Sequence, residues 1–444
     1  MTKTVIIGTN HAGLAAANAI LDKKNDDEVV MIEKNANFSY LSCGTALWVG
    51  RQIDTVDGLF YTNREDFEAK GAKVSTETTV DHIDFAAKNV HATDVDGNEL
   101  VESYDKLVLA TGSKPISPKV PGRDLKNISF MKQFTEGQFI DQKLTDETIQ
   151  TVAVIGAGYI GVEIAEAANR RGKNVLLFDA MDRCLPNYYD PWFTDDMDQN
   201  LANHGVELHY GELVKEYQGT DKVEKIVTEK GEYAVDLVIN AIGFLPNNEL
   251  GKDHLELFTN GAYLVDRHQQ TSDPAVYAVG DCATIYSNAL QGTTYIALAT
   301  NAVRTGIVAG ENIAGNPIES PGVQGSNGIS IFGYNMVSTG YSVEAAAKFK
   351  LQVKYTDFED TQKPAFMKEN DDVKLRIVYD ANNRRIVGAQ MASTTTDISM
   401  AIHLFSLAIE RKVTIDELGL LDLFFLPHFN QPYNYINKAA LKAE

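Results

Sequence analysis

Cys43 is the residue whose type and position point most directly to chemistry. It stands thirty residues after the end of an N-terminal glycine-containing loop, and five residues further on the chain has Trp48 instead of a second thiol. A lone reactive cysteine cycles through a thiolate and either a sulfenic acid or a mixed disulfide. We therefore expect redox chemistry on one sulfur at Cys43, against the alternative of a small buried side chain. The other two cysteines, Cys184 and Cys282, are expected to pack in the interior.

A second group of residues predicts a dinucleotide site in the middle of the chain. The loop from Gly156 to Gly161 reads Gly-Ala-Gly-Tyr-Ile-Gly, follows an apolar strand and opens a helix. In this fingerprint the first glycine permits a tight turn, the second lets a pyrophosphate approach the backbone, and the third allows close helix–strand packing. Asp179 ends the next strand and would bind a ribose and repel a 2′-phosphate, which favours NADH over NADPH. Arg183 is expected to be a solvated loop charge.

The N-terminal loop from Gly8 to Gly13 is a weaker version of the same pattern. Asn10 replaces the middle glycine, whereas Glu33 lies twenty residues after Gly13, at a position that suits a ribose. On these residues alone the loop is either a second nucleotide site or an ordinary strand-to-helix turn.

Two copies of a strand–helix–strand unit position these loops. Apolar periodicity predicts the copies over residues 4–8, 12–21 and 28–33, and over residues 152–156, 161–171 and 174–179. Two such units indicate two nucleotide sites. Apolar strands that end in glycine, with a proline just beyond, lie at 107–115 and 237–246 and are predicted crossover points between domains.

The character of the sequence changes after about Pro321. Residues 374–379 and 385–390 alternate as half-buried antiparallel strands do. Apolar residues from 398 to 409 fall on one helical face, and Thr414 with Glu417 forms a capping box that opens another helix. This part has no nucleotide loop in its sequence, so we expect it to serve assembly or to cover a neighbour's site.

Composition limits the classes of function. The chain has 444 residues, 61 acidic and 40 basic, and a formal net charge of −21. Such an acidic chain is a poor partner for nucleic acid or an anionic membrane surface, and no apolar run has the length of a membrane span. Three cysteines without metal-ligand spacing favour a reducing, cytoplasmic location and predict no metal site.

With these motifs the sequence resembles the pyridine nucleotide–disulfide oxidoreductase superfamily over essentially its whole length. It is similar in particular to the single-cysteine branch of NADH oxidases, NADH peroxidases and coenzyme A-disulfide reductases. The resemblance is carried by the loop 8–13 with His11, the segment 42–44, the loop 156–161, the strand end 280–281, and the C-terminal segments 422–427 and 433–435.

The resemblance implies an α/β fold with two Rossmann-like dinucleotide-binding domains, for FAD and NADH, and a C-terminal α+β dimerisation domain. The predicted bounds are 1–115 and 246–321 for the two parts of the FAD-binding domain, 116–245 for the NADH-binding domain, and 322–444 for the dimerisation domain.

The resemblance also implies site residues, position by position. FAD would be held by Gly8, Asn10, His11, Ala12, Gly13, Glu33, Lys34, Cys43, Ala110, Thr111, Gly112, Ser113, Lys132, Asp281, Leu298, Ala299 and Thr300. NADH would be held by Gly156, Gly158, Tyr159, Ile160, Gly161, Glu163, Asp179, Tyr188 and Gly243. Tyr159 would stack near the isoalloxazine and move aside when nicotinamide binds.

The activity that the resemblance implies is a water-forming flavoprotein NADH oxidase with Cys43 and His11 as catalytic residues. Cys43, its pKa lowered, would cycle between thiolate and sulfenic acid, and His11 would stabilise the thiolate or donate a proton to departing oxygen. The alternatives are an NADH peroxidase that takes hydrogen peroxide, a coenzyme A-disulfide reductase, and a non-catalytic FAD- and NADH-binding redox sensor. A homodimer is expected in each case.

Overall fold

The computed structural model describes residues 2–23 and 27–444. Its strands, in chain order, are β1 (Lys3–Ile7), β2 (Glu28–Ile32), β3 (Lys73–Ser75), β4 (Thr78–Asp84), β5 (Asn89–Asp94), β6 (Glu99–Ser103), β7 (Lys106–Leu109), β8 (Ser113–Pro115), β9 (Ile128–Phe130), β10 (Thr151–Ile155), β11 (Asn174–Asp179), β12 (Val206–Tyr210), β13 (Val214–Gln218), β14 (Lys225–Thr228), β15 (Glu232–Ala234), β16 (Leu237–Asn240), β17 (Phe244–Pro246), β18 (Val276–Ala278), β19 (Ile285–Ser287), β20 (Gly292–Thr294), β21 (Asn327–Ile331), β22 (Tyr334–Gly340), β23 (Val353–Thr361), β24 (Asp372–Asp380) and β25 (Ile386–Ser393).

The helices of the same residues are α1 (His11–Leu21), α2 (Thr45–Val49), α3 (Arg64–Ala69), α4 (Phe134–Thr145), α5 (Tyr159–Arg170), α6 (Pro191–Asn203), α7 (Ala299–Ile313), α8 (Val343–Lys348), α9 (Ile398–Glu410), α10 (Ile415–Gly419) and α11 (Tyr435–Leu441). Short 3-10 turns lie at Ser42–Gly44, Asp57–Leu59 and Gly280–Cys282. No helix in the described part of the chain has the length and apolarity to cross a membrane.

The N-terminal loop lies at the carboxyl edge of a five-stranded parallel sheet with the order β18-β7-β1-β2-β3. Its strands are continuous apolar runs because both faces are covered. Ile6 packs with α1 and α7 on one face, and Val5 packs with residues of β4 and β5 on the other. The predicted unit over residues 4–33 is confirmed, and its helix begins one residue earlier than expected, at His11.

The second loop lies at the same place in a second parallel sheet, ordered β12-β11-β10-β16-β9. Val154 packs with α5 on one face, and Ala153 packs with residues of β13 and β14 on the other. Both predicted units therefore share one design: a parallel sheet with helices on one face and a small antiparallel sheet on the other.

The two predicted crossover segments pair with each other. β8 and β17 run antiparallel, with Ser113 opposite Pro246 and Pro115 opposite Phe244. This ribbon joins the two parallel sheets where the chain leaves and re-enters the first one. The predicted domain bounds stay predictions.

The C-terminal residues form an antiparallel sheet with the order β21-β22-β25-β24-β23. The predicted antiparallel pair is confirmed as β24 and β25, and the helix and the capping box are confirmed as α9 and the start of α10. The expectation that both strands are half-buried is wrong, because β25 is buried along its whole length. Met391 packs under α9, whereas Ala392 faces the cluster that contains Phe193 and Met197 of α6.

A buried carboxylate fixes the C-terminal sheet to the second parallel-sheet unit. Asp190, only 1% exposed, precedes α6 and lies 3.2 Å from the Arg376 guanidinium. The Gln390 amide donates to it at 2.6 Å, and the backbone N–H groups of Val343 and Glu344 at the start of α8 donate at 3.1 Å. One side chain thus joins three elements of the C-terminal region to the preceding unit.

Candidate active site

Both nucleotide loops open into one cavity of about 1620 Å³. Its lining includes nearly all of the residues predicted to hold cofactors: Gly8, Asn10, His11, Ala12, Glu33, Lys34, Cys43, Ala110, Thr111, Gly112, Ser113, Lys132, Gly156, Gly158, Tyr159, Ile160, Glu163, Asp179, Tyr188, Gly243, Asp281, Leu298, Ala299 and Thr300. Gly13 and Gly161 do not line it. A Cβ atom on either would lie within 2 Å of a loop carbonyl oxygen, so these two glycines allow the helix to pack against the loop.

The first loop is tied to the end of β2 by a buried carboxylate. Glu33 accepts hydrogen bonds from the Thr9 backbone N–H at 2.9 Å and from Asn35. Asn10, which replaces the middle glycine of the fingerprint, caps α1 by accepting from the His11 N–H at 3.0 Å. The substitution therefore has a structural reason, since asparagine is a strong N-cap residue.

The second loop has the same arrangement around Asp179. This carboxylate accepts from the Ala157 backbone N–H at 2.6 Å and from the Met181 N–H at 2.7 Å. Both of its oxygens are thus fixed at the strand end beside the loop. The expectation for Arg183 is wrong: it is 8% exposed and pairs with Asp182 and with Glu344 of α8.

A polar cluster closes the far side of the first loop. Ser113 donates to Asp281 at 2.8 Å, and the Lys132 ammonium reaches both of these side chains, at 3.0 Å and 3.1 Å. The Lys132 ammonium also lies 4.6 Å from the centre of the Phe244 ring. Ser113 lies in β8 and Phe244 in β17, whereas Lys132 follows β9 and Asp281 follows β18. The cluster therefore forms only after the chain has passed from the first parallel sheet to the second and back.

Cys43 lies in the 3-10 turn before α2, and its side chain is exposed to the cavity. Cys184 and Cys282 are buried, as expected. Burial and the charge of Glu163 raise the pKa of the Cys43 thiol, and Lys132 acts in the opposite direction. The expected lowering is therefore not supplied by the protein's own groups, because carboxylates and desolvation outweigh the single ammonium.

His11 has a partner that the sequence analysis missed. Its Nδ1 lies 2.8 Å from the Tyr61 hydroxyl, and the two rings stack with centroids 5.5 Å apart. Its Nε2 is buried without a hydrogen-bond partner among the described residues. Burial lowers the pKa of His11, which keeps the imidazole neutral near pH 7, and burial raises the pKa of Tyr61 to about 12. No motif marks Tyr61, which is fifty residues from His11.

Tyr159 and Glu163, in and just after the second loop, also have neighbours that no sequence motif predicts. The Tyr159 hydroxyl bonds with Tyr189 at 2.9 Å and with Asn327, and its ring meets Tyr188 edge-on at 4.6 Å. Burial raises the pKa of Glu163 to about 7, and the charge of Glu166 adds to the effect.

No group of three metal-ligating side chains occurs in the described residues.

Two parallel sheets with glycine loops, a single thiol in the cavity that they share and an antiparallel C-terminal sheet are typical of oxidoreductases with two dinucleotide sites. Residues 2–306 match the family described as pyridine nucleotide-disulphide oxidoreductase, and residues 328–434 match its dimerisation domain. The chain belongs to this family.

Relatives named NADH oxidase match the whole chain. The chain is 62% identical to the NADH oxidase of Lactococcus lactis subsp. cremoris over the full length of both, and 52% identical to that of Streptococcus pyogenes, again over the full length. Among solved structures it is similar to the water-forming NADH oxidase from Lactobacillus brevis bound to NADH, with 37% identity, a TM-score of 0.96, and coverage of 99% of this chain and 98% of that one.

Proposed function

We propose that the protein is an FAD-dependent NADH oxidase that reduces oxygen to water through a thiolate and sulfenic acid cycle on Cys43. The observation that carries the proposal is the position of this thiol. Among the described residues it is the only cysteine that lines the cavity shared by the two nucleotide loops. The naming of the relatives as NADH oxidases, one of them water-forming, supports the same reaction.

The residues around the first loop fit FAD. Gly8 adopts a left-handed backbone with φ +107°, Glu33 stands at the strand end where a ribose would bind, and Asp281 lines the same cavity. The unpartnered, buried Nε2 of His11 marks a polar position that a bound group would satisfy. Once bound, FAD would supply the electron transfer from NADH to oxygen.

NADH would bind at the second loop, with the ribose on Asp179 and the pyrophosphate at the start of α5. The helix N-terminus offers unpaired N–H groups to phosphate, and Gly158 has open space where a side chain would stand. The fixed Asp179 carboxylate disfavours a 2′-phosphate. An engineered variant of the Lactobacillus brevis enzyme, 36% identical to this chain, is a NADPH oxidase, which supports the view that nucleotide choice depends on a few side chains in this fold.

Cys43 would act on oxygen reduced to the peroxide level. Its thiolate attacks one oxygen, a sulfur–oxygen bond forms, the oxygen–oxygen bond breaks, and the departing oxygen leaves as water after it gains protons. Two electrons from a second NADH, with protons, return the sulfenic acid to the thiolate and release the second water. The sum is two NADH, two protons and one oxygen to two NAD and two waters.

His11 would donate a hydrogen bond from Nε2 to the departing oxygen, which takes its protons from solvent. In the tautomer that suits this role, the Tyr61 hydroxyl donates a hydrogen bond to Nδ1, and the imidazole carries its proton on the buried Nε2. Tyr61 keeps its proton at neutral pH because its pKa is about 12. The hydroxyl therefore fixes both the orientation and the tautomer of the proposed hydrogen-bond donor.

The protein would work as a homodimer in the cytoplasm. The C-terminal segment 420–433 exposes seven large apolar side chains, and it lies in the region that matches the dimerisation domain: Leu420, Leu421, Phe424, Phe425, Leu426, Phe429 and Tyr433. Three free cysteines fit a reducing compartment.

Stoichiometry tests the proposed function. FAD-loaded protein is mixed with limiting NADH in aerated buffer, NADH and oxygen are followed together, and catalase is then added. We expect two NADH per oxygen, with no oxygen returned by catalase. The Cys43→Ser variant should consume one NADH per oxygen and form hydrogen peroxide, whereas Cys184→Ala, which removes a buried thiol outside the cavity, should keep the ratio of two.

Other results would identify the alternatives. Rapid NADH loss only after hydrogen peroxide is added would indicate a peroxidase, and turnover only with coenzyme A disulfide would indicate a disulfide reductase. If none of these substrates drives NADH oxidation, the redox-sensor alternative gains support. A Cys43→Ser variant that still forms water would refute the sulfenic acid cycle.

A further inference from the structure

A cluster of hydroxyl groups surrounds one amide oxygen at the second nucleotide loop. Oδ1 of Asn327 lies within hydrogen-bond distance of three hydroxyl groups: those of Tyr159, of Tyr189 at 3.3 Å and of Ser338 at 3.0 Å. The two phenols also lie 2.9 Å apart. The amide nitrogen of Asn327 donates to the Gly325 carbonyl at 2.7 Å, which fixes the orientation of the amide.

The cluster joins two separate parts of the molecule. Tyr159 is the first residue of α5, whereas Asn327 begins β21 of the C-terminal sheet, 168 residues later. Both side chains line the cavity, and Tyr189 is completely buried behind them. The position of the Tyr159 ring is therefore set by a residue outside the sheet that carries the nucleotide loop.

The cluster has enough donors for Tyr159 to move away while Oδ1 of Asn327 keeps a hydrogen bond. Each phenol has one proton and an amide oxygen has two lone pairs, so the three hydroxyl donors exceed what Oδ1 accepts at one time. If Tyr159 moves away, Tyr189 and Ser338 still satisfy the oxygen, and the amide nitrogen keeps its bond to Gly325. The cost of opening is then confined to the lost bonds of Tyr159 itself.

We propose that Asn327 is a positioning residue that holds Tyr159 over the nicotinamide end of the cavity and releases it when NADH binds, with the Tyr189 proton taking the vacated place. We call the Asn327–Tyr159 hydrogen bond the tyrosine latch. The inference rests on the proposed function, in which Tyr159 yields its place to nicotinamide. The tyrosine latch thus gives a residue of the C-terminal domain, Asn327, a role in the binding of NADH at the second loop.

The latch has a defined effect on NADH binding. Part of the binding free energy of NADH is used to open it, so its removal should tighten apparent binding. One net hydrogen bond corresponds to a change of about two- to ten-fold in the half-saturating NADH concentration. The rate of electron transfer at saturating NADH should stay the same, since the latch is already open in that complex.

Anaerobic stopped-flow measurement of flavin bleaching separates these two quantities. The FAD-loaded wild type, Asn327→Ala, Tyr159→Phe and the double variant are mixed with increasing NADH. Asn327→Ala should lower the half-saturating concentration about two- to ten-fold at an unchanged limiting rate. Tyr159→Phe should lower it at least as much, since it also loses the bond to Tyr189, and the double variant should match Tyr159→Phe. Tyr159→Phe removes one hydroxyl and keeps the ring, which makes it the variant least prone to fold badly.

Ser338→Ala is the matched control, because it removes another donor to the same oxygen and leaves Tyr159 in place. A shift in Ser338→Ala as large as that in Asn327→Ala would overturn the proposal, since the cause would then be a looser strand. Additive effects in the double variant, or a changed limiting rate with an unchanged half-saturating concentration, would overturn it as well. A wild type whose flavin is not bleached by NADH would instead contradict the proposed function.

Discussion

We expect that a change of one atom in the Asp179 side chain alters the choice between NADH and NADPH. The Asp179→Asn variant keeps the shape of the residue and removes its charge. In the structure both carboxylate oxygens are held by backbone N–H groups, of Ala157 at 2.6 Å and of Met181 at 2.7 Å. The charge therefore cannot turn away from a nucleotide bound at the loop, and its removal should be felt directly.

The magnitude follows from the charges. A 2′-phosphate carries about two negative charges, and at about 4 Å from a fixed carboxylate the repulsion is about 2 kcal/mol even at the dielectric constant of water. Its loss should raise kcat/KM for NADPH about thirty-fold. In the variant, the ribose hydroxyl of NADH would donate to a neutral amide oxygen instead of a carboxylate. The weaker hydrogen bond costs about 1 kcal/mol, which lowers kcat/KM for NADH about five-fold. The ratio of the two specificity constants should thus shift about 150-fold toward NADPH.

Initial rates with each nucleotide in aerated buffer measure this ratio. Asp182→Asn is the control, because it makes the same change of charge three residues away on a side chain that is 81% exposed and does not line the cavity. The asparagine at 179 leaves one backbone N–H without its acceptor, so a small loss of thermal stability should accompany the shift. A ratio within three-fold of wild type, in a folded and FAD-loaded variant, would refute the reasoning, as would an equal shift in the control.

Two further predictions concern the thiol end of the cavity and the buried acid beside it. Tyr61→Phe keeps the ring over His11 but removes the hydroxyl, so the share of oxygen released as hydrogen peroxide should rise about five-fold; an unchanged share in a peroxide assay would show that the hydroxyl does not act through His11. Burial raises the pKa of Glu163 from 4.5 to about 7, so the folded protein holds a proton that the unfolded chain releases, and stability from this group is lost as pH rises through that window. Glu163→Gln should therefore gain melting temperature relative to wild type at pH 8 more than at pH 5, and an equal difference at both pH values would contradict the assignment.

The nucleotide-binding units could be predicted from the sequence because their signals are local. The left-handed turns at Gly8 and Gly156, the apolar strands and the carboxylate at the end of the next strand all lie within about thirty residues of each other. The same holds for the capping box at Thr414, which is confirmed with both of its hydrogen bonds. Local patterns were sufficient wherever the chain folds on its immediate neighbours.

The remaining parts of the site depend on contacts between distant segments. Tyr61 and Asn327 belong to no motif, and each gains its place only when a far part of the chain packs against the loop it serves. The sequence around Arg183 predicts a solvated loop charge, yet Arg183 is buried and pairs with Glu344 of α8. The alternating pattern of β24 and β25 predicted one solvent-exposed face. In the folded protein, α6 of the second parallel-sheet unit covers that face of β25. Sequence periodicity shows which faces are apolar, but it does not show what covers the others.

The Asp190 cluster limits how members of this family can be recombined. A chimera that joins the first 321 residues of one relative to the tail of another would bring together Asp190 from one parent with Arg376 and Gln390 from the other. If the arginine differs, a carboxylate that is 1% exposed stays buried without its counter-charge, at a cost of about 3–5 kcal/mol. If the glutamine differs, the carboxylate loses a hydrogen bond, at a cost of about 1–3 kcal/mol. Successful exchange of cofactor units between relatives therefore requires these three positions to be inherited as a set.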